Sequence, residues 1–291
     1  MKQNPKRYAK FSFYGLGTKF YILTEKKLSS DVQNEIILLV KEFEENYSRF
    51  KLDSRLSQLN SQKLLKNPSI EMTNMLKFAI ETYKLTNGLF NISIGSKLEN
   101  QGYGIQNDKS SRISDNLVNE IEITADLITI SKHMRLDFGG FGKGWFIDKL
   151  ANFLVEKGTE NYMINGGGDI KVGNKPMEIY IENPSNNNEY IGKMLLANRA
   201  FAASSNIKRV WAGVGNNEKH SHIQRPDGAP LISQVQMSCT SADSALKADV
   251  MATCLLLDPS AEQIKQILKW GDYCLVLQNN KILRTKNFNI F

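Results

Sequence analysis

The stretch Leu136-Asp137-Phe138-Gly139-Gly140-Phe141-Gly142-Lys143-Gly144 sets four glycines between a strand-like run, Arg135 to Phe138, and a helical pattern that begins at Trp145. Glycine lets the backbone approach a ligand closely, and free N–H groups at a helix start attract an anion. Lys143 adds positive charge at the same place, and Asp137 can accept hydrogen bonds from a ligand's amide or hydroxyl groups. The GxxxxGK[ST] spacing of a phosphate-binding loop is not met, because Gly144 stands where Ser or Thr is required. Taken alone, the stretch is also compatible with a tight turn carrying an incidental lysine.

Its neighbours decide the fold class. Upstream, Ile121 to Ile123 and Leu127 to Ile130 alternate around a short turn and predict a β-hairpin. Downstream, a helix to about Glu156 precedes strands near Tyr162 to Ile164, Glu178 to Glu182 and Gln234 to Ser238. Helices over about Ala242 to Leu257 and Ala261 to Lys269 lead to a last hairpin, Tyr273 to Leu277 with Lys281 to Leu283. Nearer the N-terminus, Lys19 to Leu23 reads as a strand after a Gly15-Leu16-Gly17-Thr18 turn. Ser30 with Gln33 predicts a capping box for a helix with an apolar stripe from Val32 to Tyr47. A second stripe, Met72 to Tyr83, stops at Asn87-Gly88. Strands joined by short turns, with helices between groups of them, argue for α+β with mostly antiparallel sheets and packed helices. The strict strand-helix alternation of a doubly wound fold is absent.

Three further segments carry chemistry. Asn165-Gly166-Gly167-Gly168-Asp169-Ile170 is a second glycine-rich turn after a short apolar strand. Two such turns make a phosphate-bearing ligand more credible than either does singly. In Ala248-Asp249-Val250-Met251-Ala252-Thr253, Asp249 and Thr253 stand at i and i+4, so their oxygens share one helix face and can share a hard cation such as Mg²⁺. The same spacing also suits a solvated aspartate and a threonine bonded back into its own helix. His222, beside the turn Arg225-Pro226-Asp227-Gly228, is one of only three histidines in the chain and sits where an accessible base is useful.

Composition narrows the classes. The 291 residues, 41% hydrophobic and 23% charged, have the balance of a globular protein. Cys239, Cys254 and Cys274 form no CxxC pair, which speaks against a zinc site or a disulfide framework. The net charge of +7 is spread among acids with no dense basic run, so no nucleic-acid partner is expected and the surface simply favours anions. No apolar run approaches the ~20 residues of a membrane span. Met1 to Phe13 lacks a signal-peptide core, so a cytoplasmic location is expected as the sequence stands, or an extracytoplasmic one if an export signal has been removed.

Read in order, these pieces resemble the FAD:protein FMN transferase (ApbE) family over nearly the whole chain. Leu16-Gly17-Thr18 is similar to that family's Met-Gly-Thr opening, and Ser48 to Asn60 to its Ser-x-Tyr segment ending in Asn. Thr86-Asn87-Gly88-Leu89-Phe90-Asn91 resembles its Thr-x-Gly-Ala-Phe-Asp turn. Asp137 to Gly144, Asn165 to Ile170, His222-Ile223 and Ala248 to Thr253 match four further motifs. The resemblance implies one ApbE-like, T-fold-related compact unit over residues 1–291. It implies a Mg²⁺-dependent transfer of FMN from FAD to a Ser or Thr hydroxyl of an acceptor flavoprotein, with AMP released. The Gly140 carbonyl, Asp249 and Thr253 would hold the Mg²⁺, and Asp137, Lys143, Leu89, Phe90 and Asn91 would contact FAD. Leu16 and Phe50 would line the flavin site with Ile223 against the cofactor, and His222 would be the base. Arg225 stands where the family has an aspartate, Asn91 replaces an Asp, Gln101 a common Trp, and Ala203-Ser204-Ser205-Asn206 lacks a glycine. Two rival readings keep the fold: an FAD pyrophosphatase with water as acceptor, and a flavin-binding protein without catalysis.

Overall fold

A computed structural model of the chain describes residues 8–104, 110–206, 210–212, 219–221, 223–229, 231, 234–279 and 281–291. Its first hairpin pairs β1 (Ala9–Gly15) with β2 (Thr18–Thr24), Gly15 lying opposite Thr18. Between them Leu16 and Gly17 hold φ values of 50° and 70°, the doubly positive pattern of a type I′ turn. The helix α1 (Ser30–Tyr47) follows. Its cap is Ser29 rather than the expected Ser30: the Ser29 hydroxyl accepts from the Val32 N–H, while Gln33 donates to the Leu28 carbonyl. Ser29 keeps the extended backbone a cap requires, whereas Ser30 is already helical.

Next come α2 (Arg55–Gln62), β3 (Leu64–Lys66), α3 (Ile70–Leu85), α4 (Gly95–Asn100) and α5 (Leu117–Glu120). The predicted hairpin is β4 (Ile121–Ile123) and β5 (Leu127–Ile130), and with β3 it makes a three-stranded sheet. The expected strand over Arg135 to Phe138 does not form. Asn60 accepts from the Leu136 N–H at 2.7 Å and donates to the Leu136 carbonyl at 2.9 Å, and the Asp137 N–H donates to the Ile92 carbonyl. A side chain and a loop carbonyl thus take the backbone groups a ladder would have used. The helix α6 (Gly142–Glu156) starts three residues before Trp145, inside the glycine run.

The remaining strands are β6 (Tyr162–Gly166), β7 (Asp169–Val172), β8 (Met177–Asn183), β9 (Asn186–Leu196) and β10 (Ala200–Ser205). They continue with β11 (Val210–Ala212), β12 (Lys219–Ser221), β13 (Val235–Ala242), β14 (Gly271–Leu277) and β15 (Ile282–Arg284). The helices α7 (Ala245–Leu256) and α8 (Ala261–Ile267) lie between β13 and β14. An eight-stranded sheet runs β1-β2-β6-β7-β10-β13-β14-β15, every neighbouring pair antiparallel. The expected α+β class with mostly antiparallel sheets is therefore what the chain adopts.

One apolar cluster joins strands to helices, with Phe20 and Ile22 of β2 meeting Phe43 of α1 and Phe146 and Leu150 of α6. A second lies where the β8–β9 hairpin packs, uniting Ile179 and Ile181 with Val172, Phe201, Cys239, Cys274 and Phe288. Along β8 the alternation is regular: Met177, Ile179 and Ile181 are buried, and Glu178, Tyr180 and Glu182 are exposed.

Candidate active site

Two hairpin turns meet at one end of the main sheet. The β6–β7 turn is Gly167-Gly168, with φ of 69° and 104°, and Gly166 pairs with Asp169. A Cβ on Gly167 would come within 2.7 Å of Thr18 Oγ1 in the β1–β2 turn, so glycine is what lets the turns touch. Leu16, a branched residue in left-handed backbone at a cost of about 1–2 kcal/mol, is held there in part by a 2.8 Å bond from its N–H to Glu44.

Beneath these turns lies a cavity of about 1020 Å³. That is at the upper end of the ~300–1,000 Å³ typical of small-molecule sites and suits a ligand of dinucleotide size. Leu16, Phe50, Leu89, Phe90, Asn91, Asp137, Gly140, Lys143, Ile223, Asp249 and Thr253 all line it. Phe50 is half exposed at the rim, whereas Leu89, Phe90 and Ile223 are buried in the wall. His222 lies outside the described residues.

The glycine-rich junction delivers Lys143 from the first turn of α6. Its ammonium pairs with Asp169, which directly follows the β6–β7 turn, and lies 3.6 Å from Asp249 of α7. Both carboxylates are buried, and Asp249 also accepts from the Gly144 N–H at 3.0 Å. Burial holds the Asp249 carboxyl well above the ordinary carboxylate range; Lys143 opposes the shift and Asp169 adds to it. Thr253 follows one turn along α7 and faces the same cavity. Among the described residues no cluster of three or more His, Cys, Asp or Glu side chains converges to form an all-protein metal cage.

At the other end Asp137 is bound on both oxygens. Oδ2 accepts from Arg49 Nε at 2.9 Å and Oδ1 from the Gly139 N–H at 2.6 Å. Arg49 also approaches Glu99 at 3.8 Å, donates to the Tyr103 carbonyl at 2.7 Å and stacks over the ring of Phe50. Glu99 in turn pairs with Arg135. Burial raises the Glu99 carboxyl, with both arginines pulling it back down. Arg49 Nη2 has no hydrogen-bond partner among the described residues, which leaves a buried donor on a cavity-lining side chain. Asn91 reaches the cavity wall, but its amide is committed: it donates to the Ser114 carbonyl and accepts from the N–H and hydroxyl of Ser93.

Arg225 and Gln101 both anchor the segment after His222. Arg225 Nη1 donates to the carbonyls of Leu257 and Asp258 at 2.8 and 3.2 Å, and its other nitrogens grip Asp227. Gln224 donates to Gln101, and Lys97 reaches the Arg225 carbonyl at 3.4 Å. Sequence reasoning assigned no role to Asp169 or Arg49, although each lies in a motif it quoted. A charged side chain directly after a glycine turn, or directly before the aromatic of the Ser-x-Tyr segment, was the available signal.

Two glycine turns, a lysine between buried carboxylates and a dinucleotide-sized cavity define a nucleotide-scale ligand site on an antiparallel α+β scaffold, outside the doubly wound class. Comparison with known proteins places it further. The model of the ApbE family matches residues 16–273. A FAD:protein FMN transferase of Vibrio cholerae is 27% identical over 249 residues, covering 79% of this chain and 74% of that protein. One from Haemophilus influenzae is 22% identical over 288 residues, with 90% and 83% covered. Among solved structures, the ApbE protein of Thermotoga maritima superposes with a TM-score of 0.83 at 19% identity, covering 97% of this chain and 98% of that one. The flavin transferase ApbE of Vibrio cholerae gives 0.78 at 21%, with 98% and 99% covered. This chain belongs to the ApbE family and is an enzyme of the transferase class.

Proposed function

We propose that this chain, acting as one unit, is a Mg²⁺-dependent FAD:protein FMN transferase that moves FMN onto a Ser or Thr hydroxyl of an acceptor flavoprotein. The observation that carries the reading is the meeting of Lys143, Asp169, Asp249 and Thr253 on one wall of a dinucleotide-sized cavity. The acceptor oxygen bonds to the FMN phosphorus, the bond from that phosphorus to the bridging oxygen breaks, and AMP departs with the electron pair.

The donor set fits magnesium. Asp249, Thr253 and the Gly140 carbonyl supply hard oxygens, and the two protein side chains leave room for the waters and phosphate oxygens that Mg²⁺ prefers to keep. When bound, the ion would supply charge stabilisation for the phosphoryl oxygens and the leaving AMP. Lys143 contributes a fixed positive charge beside the same phosphates. Leu16, Leu89, Phe90 and Ile223 shield the flavin from water, and Phe50 offers it an aromatic face. Asp137 uses two acceptor positions internally and keeps others for FAD. His222 is assigned as the base that takes the acceptor's proton.

The test is intact-protein mass spectrometry of a Thr-bearing flavodoxin-like domain incubated with this protein, FAD and Mg²⁺. A gain of one FMN that EDTA abolishes is the expected result. FMN and AMP free in solution, with the acceptor unchanged, would replace the transferase by a pyrophosphatase. Intact FAD with several acceptors would leave a flavin-binding protein.

A further inference from the structure

Two helices exchange carboxylates behind the lysine. α6 and α7 approach so closely at Gly144 that a Cβ there would lie 2.5 Å from the Ala245 carbonyl oxygen. Asp249 of α7 accepts the Gly144 N–H, in the first turn of α6. In return Asp148, one turn beyond Gly144 on the same face of α6, accepts the first two N–H groups of α7. Its Oδ1 takes Ala245 and its Oδ2 takes Leu246, each at 2.9 Å. The cap residue Ser244 reaches only the Lys247 N–H, so Asp148 satisfies donors the local cap leaves open. Each helix start thus receives an acidic side chain from the other, the arrangement its dipole favours.

Two further bonds restrain α7 from the sheet side. The hydroxyls of Thr240 and Ser238 on β13 donate to the carbonyls of Ala248 and Ala252, the residues just before Asp249 and Thr253. These bonds fix the distance of α7 from the sheet. The two bonds from Asp148 fix its start relative to α6, and therefore the reach of Asp249 toward Gly144 and Lys143.

We propose that Asp148 is a positioning residue for the cation site: it lies outside the cavity lining and sets where Asp249 and Thr253 present their oxygens. The magnesium part of this inference rests on the function proposed above; the placement of Asp249 does not. Asp148→Asn keeps the size and one acceptor oxygen, but turns an N–H₂ toward an N–H donor of α7. In the FAD-loaded protein, Mn²⁺ affinity followed by electron paramagnetic resonance should fall by about 10- to 100-fold, as it does when the groups behind a metal ligand are lost. In the metal-free protein the Gly144 amide, protected by Asp249, should exchange with deuterium about 10-fold faster while amides of α1 stay as they were. Wild-type protection at Gly144, or a uniform rise in exchange across the chain, would overturn the proposal. If the wild type itself fails to bind Mn²⁺, the magnesium reading falls and the Gly144 amide still decides the placement. Should Asp148→Asn not fold, Asp148→Glu, which keeps the charge on a longer arm, is read in the same two ways.

Discussion

At one end of the cavity Arg49 and Arg135 face Asp137 and Glu99, so the buried charges balance. At the other, two buried carboxylates, Asp169 and Asp249, share Lys143. The first set is a framework in which removing any member strands another. The second carries an excess of negative charge in a place where burial already disfavours a carboxylate. The difference is one of charge balance: the first set gives each buried carboxylate an arginine, whereas in the second two carboxylates divide one lysine, and it is there that the cation proposed above would sit.

The comparison breaks most visibly at Asp249. Asp249→Ala is expected to abolish both transfer and FAD hydrolysis while the protein stays folded, checked by AMP release and circular dichroism. Turnover that persists without added metal would sink the site. Asp249→Asn sharpens the point. It keeps an acceptor for Gly144 and leaves Lys143 to Asp169, so the metal-free protein should change stability by no more than about 1 kcal/mol in urea unfolding.

Arg49→Met tests the opposite end. Asp137 loses its 2.9 Å partner and Glu99 one of its two, at buried positions. Breaking a buried pair by removing one member costs roughly 3–5 kcal/mol, so the same urea experiment should show a loss of that order. A small loss at Arg49 together with a large one at Asp249 would reverse the assignment of framework and receptor.

How far the sequence reached follows the same division. Periodicity placed α1, α3 and the hairpin of β4 and β5, because each buries a face whose spacing is visible in one segment. The supposed strand at Arg135 to Phe138 failed because its backbone partners, Asn60 and Ile92, lie far away in the chain and no local pattern announces them. Motifs single out Lys143 within one glycine-rich stretch, and Asp249 with Thr253 as an i, i+4 pair on one helix. They gave no role to Arg49, Asp169 or Asp148, whose function depends on which elements the fold brings together: β7 against the start of α6, and α6 against the start of α7. An aspartate four residues after a packing glycine on one helix face was the sole trace of the last.

The base assigned above gives the next prediction. His222→Ala should slow transfer by about 10²-fold or more with FAD affinity unchanged, measured by single-turnover kinetics and fluorescence quenching. An unchanged rate would move the base elsewhere, and equal losses in rate and binding would make the residue part of the FAD site.

The smallest effect is expected at Arg225. Arg225, where the sequence resemblance implies an aspartate, is a cation that caps the carbonyls ending α7, at Leu257 and Asp258, where the helix dipole is negative. Arg225 thereby ties Ile223 and Gln224, both in the cavity wall, to the helix that carries Asp249 and Thr253. Arg225→Ala removes hydrogen bonds from a charged donor that is only partly buried. It should lower stability by about 1–2 kcal/mol and raise the KM for FAD more than it lowers kcat. Arg225→Lys retains the charge at the helix end but not the fork that holds Asp227 and the carbonyls together, so it should recover part of the stability and little of the KM. A loss confined to kcat would instead place Arg225 beside the reacting groups, and the anchoring role would have to be given up.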